Sequence, residues 1–262
     1  MSPTIIPNGL KDKLARGETA LSVIVRLVTS PEIAVLVKSC GYDSLYVDLE
    51  HNSFSMETVS RICGAALLAG IAPLVRVPGF SPETISRVLD GGALGVIVPH
   101  VETAAQVRDI VGLVKFAPLG KRSIGGPLPH LGFRKLPILD TQQAMNAATM
   151  VVAMLETRAA LDRVEEIAAE PGLDMLLVGT NDLSAELGVT GLFDHPKIGD
   201  AYDRIIAACR KHGITAGIGG LAGRPDLIAE YVRRGARYVS AGSDFQLLQD
   251  AATARAELFA GI

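Results

Sequence analysis

The feature that most constrains this chain is a regular alternation of eight strand-like runs with eight helix-like ones. Most of the strand-like runs are continuously apolar, as expected of strands that are covered on both faces. The segments between them repeat apolar residues at helical spacing. We predict strands near 20–27, 44–50, 72–77, 95–101, 150–156, 175–179, 214–218 and 237–241. We predict helices near 31–40, 56–69, 82–90, 104–115, 158–169, 197–212, 224–234 and 244–259.

Eight β–α repeats predict an α/β protein with a closed parallel barrel, the (β/α)8 or TIM barrel. The chain has 262 residues, of which 48% are hydrophobic, and this is enough for one large core. We therefore expect a single barrel domain over residues 1–262. An open sheet of six or seven strands is the alternative, and it would require the weakest runs, 20–27 and 237–241, to form something else.

Charge and cysteine content narrow the classes of function. The net charge is −3 and no Lys/Arg cluster is dense, so we expect no nucleic-acid or membrane partner. The segment 11–16 is short and mixed in charge, which suggests a solvated face. No apolar run is long enough to span a membrane, and the N-terminus lacks the order of a signal peptide. The three cysteines fit neither a metal site nor a disulfide framework; as buried free thiols they indicate a cytoplasmic location.

One stretch, residues 117–136, interrupts the alternation. It is rich in Gly and Pro and has no strong period, and a short helical pattern near 140–148 follows it. A loop this long inside a compact domain is usually functional or part of an interface.

Four charged residues lie at or just beyond the ends of apolar strand-like runs: Glu50, Arg76, Glu156 and Asp182. A charged group at such a position is costly unless a ligand or a metal compensates it. In a barrel of parallel strands, the carboxyl ends meet at the face where active sites form. We therefore predict a functional site at this face.

Glu156 and Asp182 follow successive strands and are 26 residues apart. Neighbouring strands lie roughly 4.8 Å apart, so both carboxylates could reach one ion. Two carboxylates with positions left for water suit Mg²⁺ or Mn²⁺, with Co²⁺ as a further option, and the absence of a nearby His/Cys set argues against zinc. For either acid alone, a helix N-cap or first-turn position is the structural alternative.

Arg76 lies inside an otherwise apolar stretch, Pro73–Pro78. A buried arginine needs an anion, and its fork suits a carboxylate or a phosphate. An internal ion pair with Glu50 is the structural alternative. After strand six, the chain enters a helical turn whose backbone N–H groups are available to an anion. The residues of this turn are Gly179, Thr180, Asn181 and Asp182. Together with Arg76 and a metal, they would bind a small 2-oxo acid.

Of the five histidines, His51 is the best-placed acid/base, because it lies just beyond strand two in the run Asp48-Leu-Glu-His51. His100, which ends strand four, is the second choice. The other three belong to the long loop or to helix termini: His130, His195 and His212.

These residues belong to short motifs that occur in a specific order and spacing. They are Gly41-Tyr-Asp43, Asp48-Leu-Glu-His51, Val75-Arg-Val-Pro78, Leu89-Asp-Gly-Gly-Ala93, Val96-Ile-Val-Pro99, Phe116-Ala-Pro-Leu-Gly120 with Arg122, Leu155-Glu-Thr157 and Gly179-Thr-Asn-Asp-Leu-Ser184. Over nearly its whole length the chain resembles the metal-dependent (class II) pyruvate aldolases of the HpcH/HpaI aldolase/citrate lyase family, typified by 4-hydroxy-2-oxoheptanedioate aldolase.

The resemblance implies a barrel of the phosphoenolpyruvate/pyruvate-binding type, usually a homo-hexamer built as a trimer of dimers, whose last helix (about 244–259) packs on a partner subunit. It implies that Glu156 and Asp182 bind the metal and that Arg76 binds the carbonyl and carboxylate side of pyruvate. Backbone amides near Asn181 and Asp182 would hold the substrate carboxylate.

The resemblance further implies that His51 acts as acid/base through a bound water, with Asp48 and Glu50 positioning groups around it. The family pattern pairs this histidine with the aspartate that matches Asp90. The helical pattern places Asp90 on the opposite face of its own barrel, so it would reach His51 only from a neighbouring subunit.

Three features depart from the family pattern. Met154 stands where many members carry a glutamine, His100 occupies a position that is often apolar, and the loop 117–136 differs from the heptanedioate type. These departures leave the fold and the handling of pyruvate intact, but they do not identify the second substrate. Acceptor choice is expected to depend on the loops 117–136 and 219–221.

The implied reaction is reversible aldol cleavage of a 4-hydroxy-2-oxo acid to pyruvate and an aldehyde, through a pyruvate enolate that the metal stabilises. No lysine lies near a strand end, which disfavours a Schiff-base mechanism. Claisen-type condensation or decarboxylation of oxaloacetate, as in citrate-synthase-like and macrophomate-synthase-like relatives, is the nearest alternative. A barrel that binds 2-oxo acids without catalysis is the alternative from another class.

Overall fold

The computed structural model describes residues 5–261 as a closed barrel of eight parallel strands. The strands follow one another around the barrel in chain order, and β8 pairs with β1. They are β1 (Ala20–Val25), β2 (Ser44–Asp48), β3 (Ala72–Arg76), β4 (Gly95–Val98), β5 (Met150–Leu155), β6 (Met175–Gly179), β7 (Thr215–Gly219) and β8 (Tyr238–Ser243). The predicted TIM barrel is confirmed, and the two weakest runs form β1 and β8, so the open sheet is wrong.

In the part of the chain that the structure describes, twelve α-helices surround or close the barrel. They are α1 (Gly9–Ala15), α2 (Glu32–Ser39), α3 (Met56–Ala69), α4 (Pro82–Asp90), α5 (Ala104–Val114), α6 (Ile138–Ala148), α7 (Arg158–Asp162), α8 (Val164–Ala168), α9 (Thr180–Glu186), α10 (Pro196–His212), α11 (Pro225–Arg234) and α12 (Asp244–Phe259). The helix predicted over 158–169 is two short helices, because Arg163 leaves the helical region with φ −107° and ψ 15°. Within residues 5–261, none of the helices combines the length and the apolar composition that crossing a lipid bilayer requires.

The helix ends follow local chemistry. The Ser81 hydroxyl accepts from the Thr84 N–H at the start of α4, where Pro82 provides a preset φ. At the end of α3, Gly70 adopts the left-handed region with φ 68°. The Ser81 cap thus fixes the loop between β3 and α4 at the carboxyl-end face of the barrel, whereas Gly70 turns the chain into β3 at the other face.

The apolar core has two layers, and β5 contributes to both. Val151, Ala153 and Leu155 pack between the strands and the helices, whereas Met150, Val152 and Met154 point into the barrel interior. This alternation follows from the two-residue period of a strand. As a result, the Met154 side chain lies in the barrel interior, near the end of β5 where the charged residues gather.

The segment 11–16 is not simply a solvated face, as the sequence suggested. It lies mostly in α1, whose Leu10 and Leu14 are buried and join the interior layer of the core. Apolar residues four positions apart fall on one face of a helix, and the charged residues between them face outward. The ammonium groups of Lys11 and Lys13 lie 2.8 Å from Asp174 and 2.9 Å from Asp43.

The three cysteines are free, but they are not all buried. Cys63 and Cys209 are buried, and burial raises the pKa of each thiol to about 12. Cys40 is exposed after the last turn of α2, so the interpretation of three buried thiols is wrong at this position. The cytoplasmic location stays a prediction.

Candidate active site

A cavity of about 500 Å³ lies at the carboxyl-end face of the barrel. It brings together residues that are far apart in the sequence and that lie at or just beyond the ends of seven different strands. Its lining includes seven of the predicted site residues: His51, Arg76, Glu156, Gly179, Thr180, Asn181 and Asp182. Asp48 and Glu50 lie behind this lining, in contact with Arg76.

Asp48 and Arg76 form the main ion pair of the site. They are the last residues of β2 and β3 and face each other across the strand pair. The Arg76 guanidinium donates to Asp48 Oδ1 from Nε at 2.9 Å and to Oδ2 from Nη2 at 2.6 Å. Its Nη1 lies 2.8 Å from Glu50 Oε2. The structural alternative of an internal ion pair therefore holds, with Asp48 as the main partner and Glu50 as the second.

The electrostatics of this pair favour two charged groups. Burial alone would raise the pKa of Asp48, but the hydrogen bonds and charge of Arg76, and then those of Arg26, hold it below its usual value. For Arg76, burial opposes the charge, and the contacts with Asp48 outweigh it and raise the pKa of the guanidinium. Both side chains are almost fully excluded from solvent, so removing one partner would leave an uncompensated charge.

His100 bridges two carboxylates at the edge of the cavity. Its Nε2 lies 3.1 Å from Glu50 Oε1, and its Nδ1 lies 3.0 Å from Glu156 Oε2. Both are ion-pair contacts, and they are attractive when the imidazole ring carries a proton. His100 thus links the acid that follows β2 to the acid that follows β5.

The backbone of His100 also serves Glu156. With φ 54°, His100 is one of two non-glycine residues with a positive φ among residues 5–261. Such a conformation costs a residue with a side chain about 1–2 kcal/mol. It directs the His100 N–H at Glu156 Oε2, 3.1 Å away. The strained turn therefore fixes the orientation of the Glu156 carboxylate.

Glu156 and Asp182 are the predicted metal ligands, and both face the cavity. Burial raises the pKa of Glu156, the His100 contacts oppose this, and the charges of Glu50 and Asp182 raise it further. A divalent cation would relieve this crowding of negative charge. Among the described residues, no group of three or more His, Cys, Asp or Glu side chains is arranged to hold an ion. The donor set is two carboxylate groups, whose hard oxygens fit Mg²⁺ or Mn²⁺.

Two glycines are needed where the walls of the cavity approach each other. A Cβ at Gly179 would lie 2.5 Å from the Cγ and Oε1 atoms of Glu156. Gly220 has φ +80°, and a Cβ there would lie 3.2 Å from the side-chain amide nitrogen Nδ2 of Asn181. Side chains at these positions would displace Glu156 or Asn181, so the glycines help to define the cavity.

The other predicted residues are placed as follows. His51 stands at the mouth with 59% of its side chain exposed, and its Nε2 is 3.7 Å from Glu50 Oε2. The Thr180 hydroxyl is buried between Tyr202 and Gly219 and therefore supports the fold of the turn. These positions leave His51 free to approach a ligand, while the Thr180 side chain is committed to the protein.

Asp90 does not lie in this cavity. It ends α4, and its Oδ1 accepts from Arg122 Nη2 at 2.6 Å. Within one chain it is separated from His51, in agreement with the position that the helical pattern gives it. A role for Asp90 at the active site would have to be exerted in the cavity of another copy.

Sequence reasoning missed Arg26. It directly follows β1, lines the cavity, and donates from Nε to Asp48 Oδ2 at 2.8 Å. The signal was present, since a charged residue after an apolar strand is the pattern that identified Arg76. It was missed because the predicted strand 20–27 extended beyond Arg26.

Two comparisons with known sequences give matches over most of the chain. The family model described as HpcH/HpaI aldolase/citrate lyase matches residues 22–251. A 4-hydroxy-4-methyl-2-oxoglutarate aldolase of Hapsidospora irregularis is 38% identical over 220 residues, which cover 82% of this chain and 80% of the relative.

Two solved structures are also similar. An HpcH/HpaI aldolase of Desulfitobacterium hafniense superposes with a TM-score of 0.92 at 28% identity, over 98% of each chain. A citrate synthase superposes with a TM-score of 0.85 at 28% identity, over 96% of this chain and 97% of its own.

Proposed function

Because this chain belongs to the HpcH/HpaI aldolase/citrate lyase family, we propose that it reversibly cleaves a 4-hydroxy-2-oxo acid to pyruvate and a second carbonyl compound. The single observation that carries this proposal is the cavity that gathers Arg76, Glu156 and Asp182 at the carboxyl ends of the strands. The similarity to a 4-hydroxy-4-methyl-2-oxoglutarate aldolase supports substrates of this kind. The enzyme is an aldolase, a carbon–carbon lyase.

Glu156 and Asp182 would hold a divalent cation, either Mg²⁺ or Mn²⁺, with Co²⁺ as a further option. The position of both carboxylates in the lining of one cavity, at the ends of neighbouring strands, supports this assignment. When bound, the ion supplies Lewis-acid stabilisation of the negative charge that develops on the C2 oxygen of the substrate.

The remaining groups bind and orient the substrate. Arg76 provides positive charge on the same side as the C2 oxygen, held in place by Asp48 and Glu50. The backbone N–H groups of Asn181 and Asp182 would receive the C1 carboxylate at the start of α9. Met154 Sδ lies 3.9 Å from Arg76 Nη1 and lines the cavity.

His51 is the acid/base of this reaction. In the cleavage direction it takes the proton of the C4 hydroxyl, directly or through a water molecule, and C4 becomes the carbonyl carbon of the second product. The electron pair of the C3–C4 bond moves to the C2 carbonyl and gives the enolate of pyruvate. A proton delivered to C3 then gives pyruvate, so that atoms and charge balance.

We further propose a homo-oligomer, a hexamer built as a trimer of dimers, in which α12 packs on another copy. The apolar residues that α12 exposes in a single chain support this proposal: Phe245, Leu247, Leu248, Leu258 and Phe259. In such an assembly, Asp90 of the partner subunit would be the residue that approaches His51.

Cleavage of 4-hydroxy-4-methyl-2-oxoglutarate, followed by coupling the released pyruvate to lactate dehydrogenase, tests the proposed reaction. We expect two pyruvates per substrate cleaved, loss of turnover in excess chelator, and recovery with Mg²⁺ or Mn²⁺. Full turnover in excess chelator would contradict the metal assignment. Absence of pyruvate release from this substrate, and from 4-hydroxy-2-oxo acids whose C4 substituent is uncharged, would contradict the proposed reaction.

The similarity to a citrate synthase makes condensation the second candidate. It is tested with oxaloacetate and acetyl-CoA, which would give citrate and free CoA after addition of water. Decarboxylation of oxaloacetate would instead give pyruvate and CO₂. The aldolase proposal expects neither reaction to exceed aldol cleavage in kcat/KM.

A further inference from the structure

Arg26 is a second guanidinium in the cavity, and most of its hydrogen-bonding capacity is unused. Its Nε donates to Asp48, while its two terminal nitrogens have no hydrogen-bond partner among residues 5–261. Its side chain is 37% exposed and lines the cavity. Arg76, by contrast, is buried, and all three of its nitrogens contact Asp48 or Glu50. Arg26 is therefore the guanidinium whose fork is open to an anionic ligand.

The position of Arg26 is fixed from two sides. Asp48 holds the guanidinium, and the buried Asp244 carboxylate holds the backbone. Asp244 accepts from the N–H groups of Arg26, Leu27 and Val28 at distances of 2.8–3.1 Å. A side chain that is already ordered loses less conformational entropy when it binds a ligand. This segment is therefore organised in advance around an open guanidinium.

The topology places Arg26 opposite the metal-binding acids. The barrel is closed in chain order, so β1 lies across the barrel from β5. Arg26 follows β1, and Glu156 follows β5, with Asp182 just beyond β6. A substrate whose pyruvate half lies against Glu156 and Asp182 would extend its C4 end across the mouth toward Arg26.

We propose that Arg26 binds a carboxylate on the C4 side of the substrate and that the enzyme thereby selects 4-hydroxy-2-oxo diacids. This inference rests on the proposed function, because it names the substrate class of the same cavity. The acidic side of the cavity receives a cation and the 2-oxo end, and Arg26 receives the second carboxylate. An analogue with an uncharged C4 substituent would leave the Arg26 fork without its anion.

The test compares two substrates that differ only in this group. One is 4-hydroxy-4-methyl-2-oxoglutarate, and the other carries a methyl group in place of the C5 carboxylate and is cleaved to pyruvate and acetone. We expect Arg26→Gln to lower the kcat/KM ratio of diacid to methyl analogue by about 10- to 100-fold, mainly through KM for the diacid. Arg26→Lys keeps the charge without the fork and should retain part of the preference.

Arg61→Gln is the matched control. Arg61 is an exposed arginine of α3 that pairs with Glu57 on the outside of the barrel, and its loss should leave the ratio unchanged. Thermal melting of each variant establishes that it is folded. If Arg26→Gln does not fold, the comparison of Arg26→Lys with wild type decides, and an unchanged ratio there overturns the proposal.

Two results overturn the role of Arg26 while the proposed function stands. An equal loss for both substrates would make Arg26 a positioning residue that acts through Asp48. An unchanged ratio would remove it from substrate binding. If the wild-type protein cleaves neither substrate and exchanges no C3 protons of pyruvate, the proposed function itself fails.

Discussion

A methyl group added at Gly179 would clash with Glu156, the candidate metal ligand. The Cβ of an alanine there would lie 2.5 Å from Glu156 Oε1, well inside contact distance. Glu156 cannot simply move away, because His100 holds its Oε2 through both a backbone N–H and a ring nitrogen. At the scale of residues, the orientation of this one carboxylate is the most sensitive feature of the site.

We therefore predict that Gly179→Ala weakens Mn²⁺ binding and lowers kcat/KM for cleavage by at least about tenfold, since displacements of about 1 Å in a site can cost that much or more. Electron paramagnetic resonance of free Mn²⁺ measures binding independently of turnover. Gly64→Ala is the control, because its Cβ would meet no atom within 4 Å and its helical position in α3 should gain stability of about 0.5–1 kcal/mol. Unchanged Mn²⁺ binding in Gly179→Ala would contradict the placement of Glu156.

Charge at strand ends identified most of these residues from the sequence, but not their partners. The sequence offered Glu50 as a partner for Arg76, whereas the β2–β3 register sets Asp48 directly opposite it. Register depends on tertiary pairing, which no local pattern encodes. The positive φ of His100 has no local signal either, because the contact that stabilises it is with Glu156, far along the chain.

At the scale of elements, the long loop 117–136 is more ordered than its composition suggests. It contains a 3-10 helix, Pro129–Leu131, and buries His130 together with Arg122. The His130 Nε2 lies 3.0 Å from the Ala93 carbonyl oxygen. Burial lowers the pKa of His130 from 6.5 to about 4. These contacts could not be predicted from the sequence, because the Gly and Pro residues of the loop disrupt the periodicity on which the prediction of helices and strands depends.

The stability of this element should depend on pH. The His130 imidazole takes up a proton near pH 6.5 in the unfolded chain and near pH 4 in the folded protein. Unfolding is therefore accompanied by proton uptake between these two pH values. Stability should therefore fall as the pH falls from 6.5 toward 4, with up to ~3 kcal/mol attributable to His130. Urea unfolding of wild type and His130→Gln at pH 7 and pH 4.5 measures this difference. Equal losses of stability in the two proteins would contradict it.

At the scale of the whole molecule, the barrel places two carboxylates and two guanidinium groups around one cavity. The ends of β5 and β6 present Glu156 and Asp182, and the ends of β1 and β3 present Arg26 and Arg76. The order of eight strands was predictable from the alternation of apolar runs, and with it the face where these residues meet. The α1 helix, which closes the other end of the barrel, could not be predicted in this way, because its apolar face consists of only two residues, Leu10 and Leu14.

We propose that this cavity converts pyruvate to its enolate, whatever the second substrate is. Loss of the C3 proton signal of pyruvate in D₂O, followed by nuclear magnetic resonance in the presence of Mg²⁺, reports this step directly. We expect rapid exchange with the wild-type protein and with Arg61→Gln, and strongly slowed exchange with Glu156→Gln or in excess chelator. Exchange no faster than in protein-free buffer, with Mg²⁺ as well as with Mn²⁺ or Co²⁺, would contradict it.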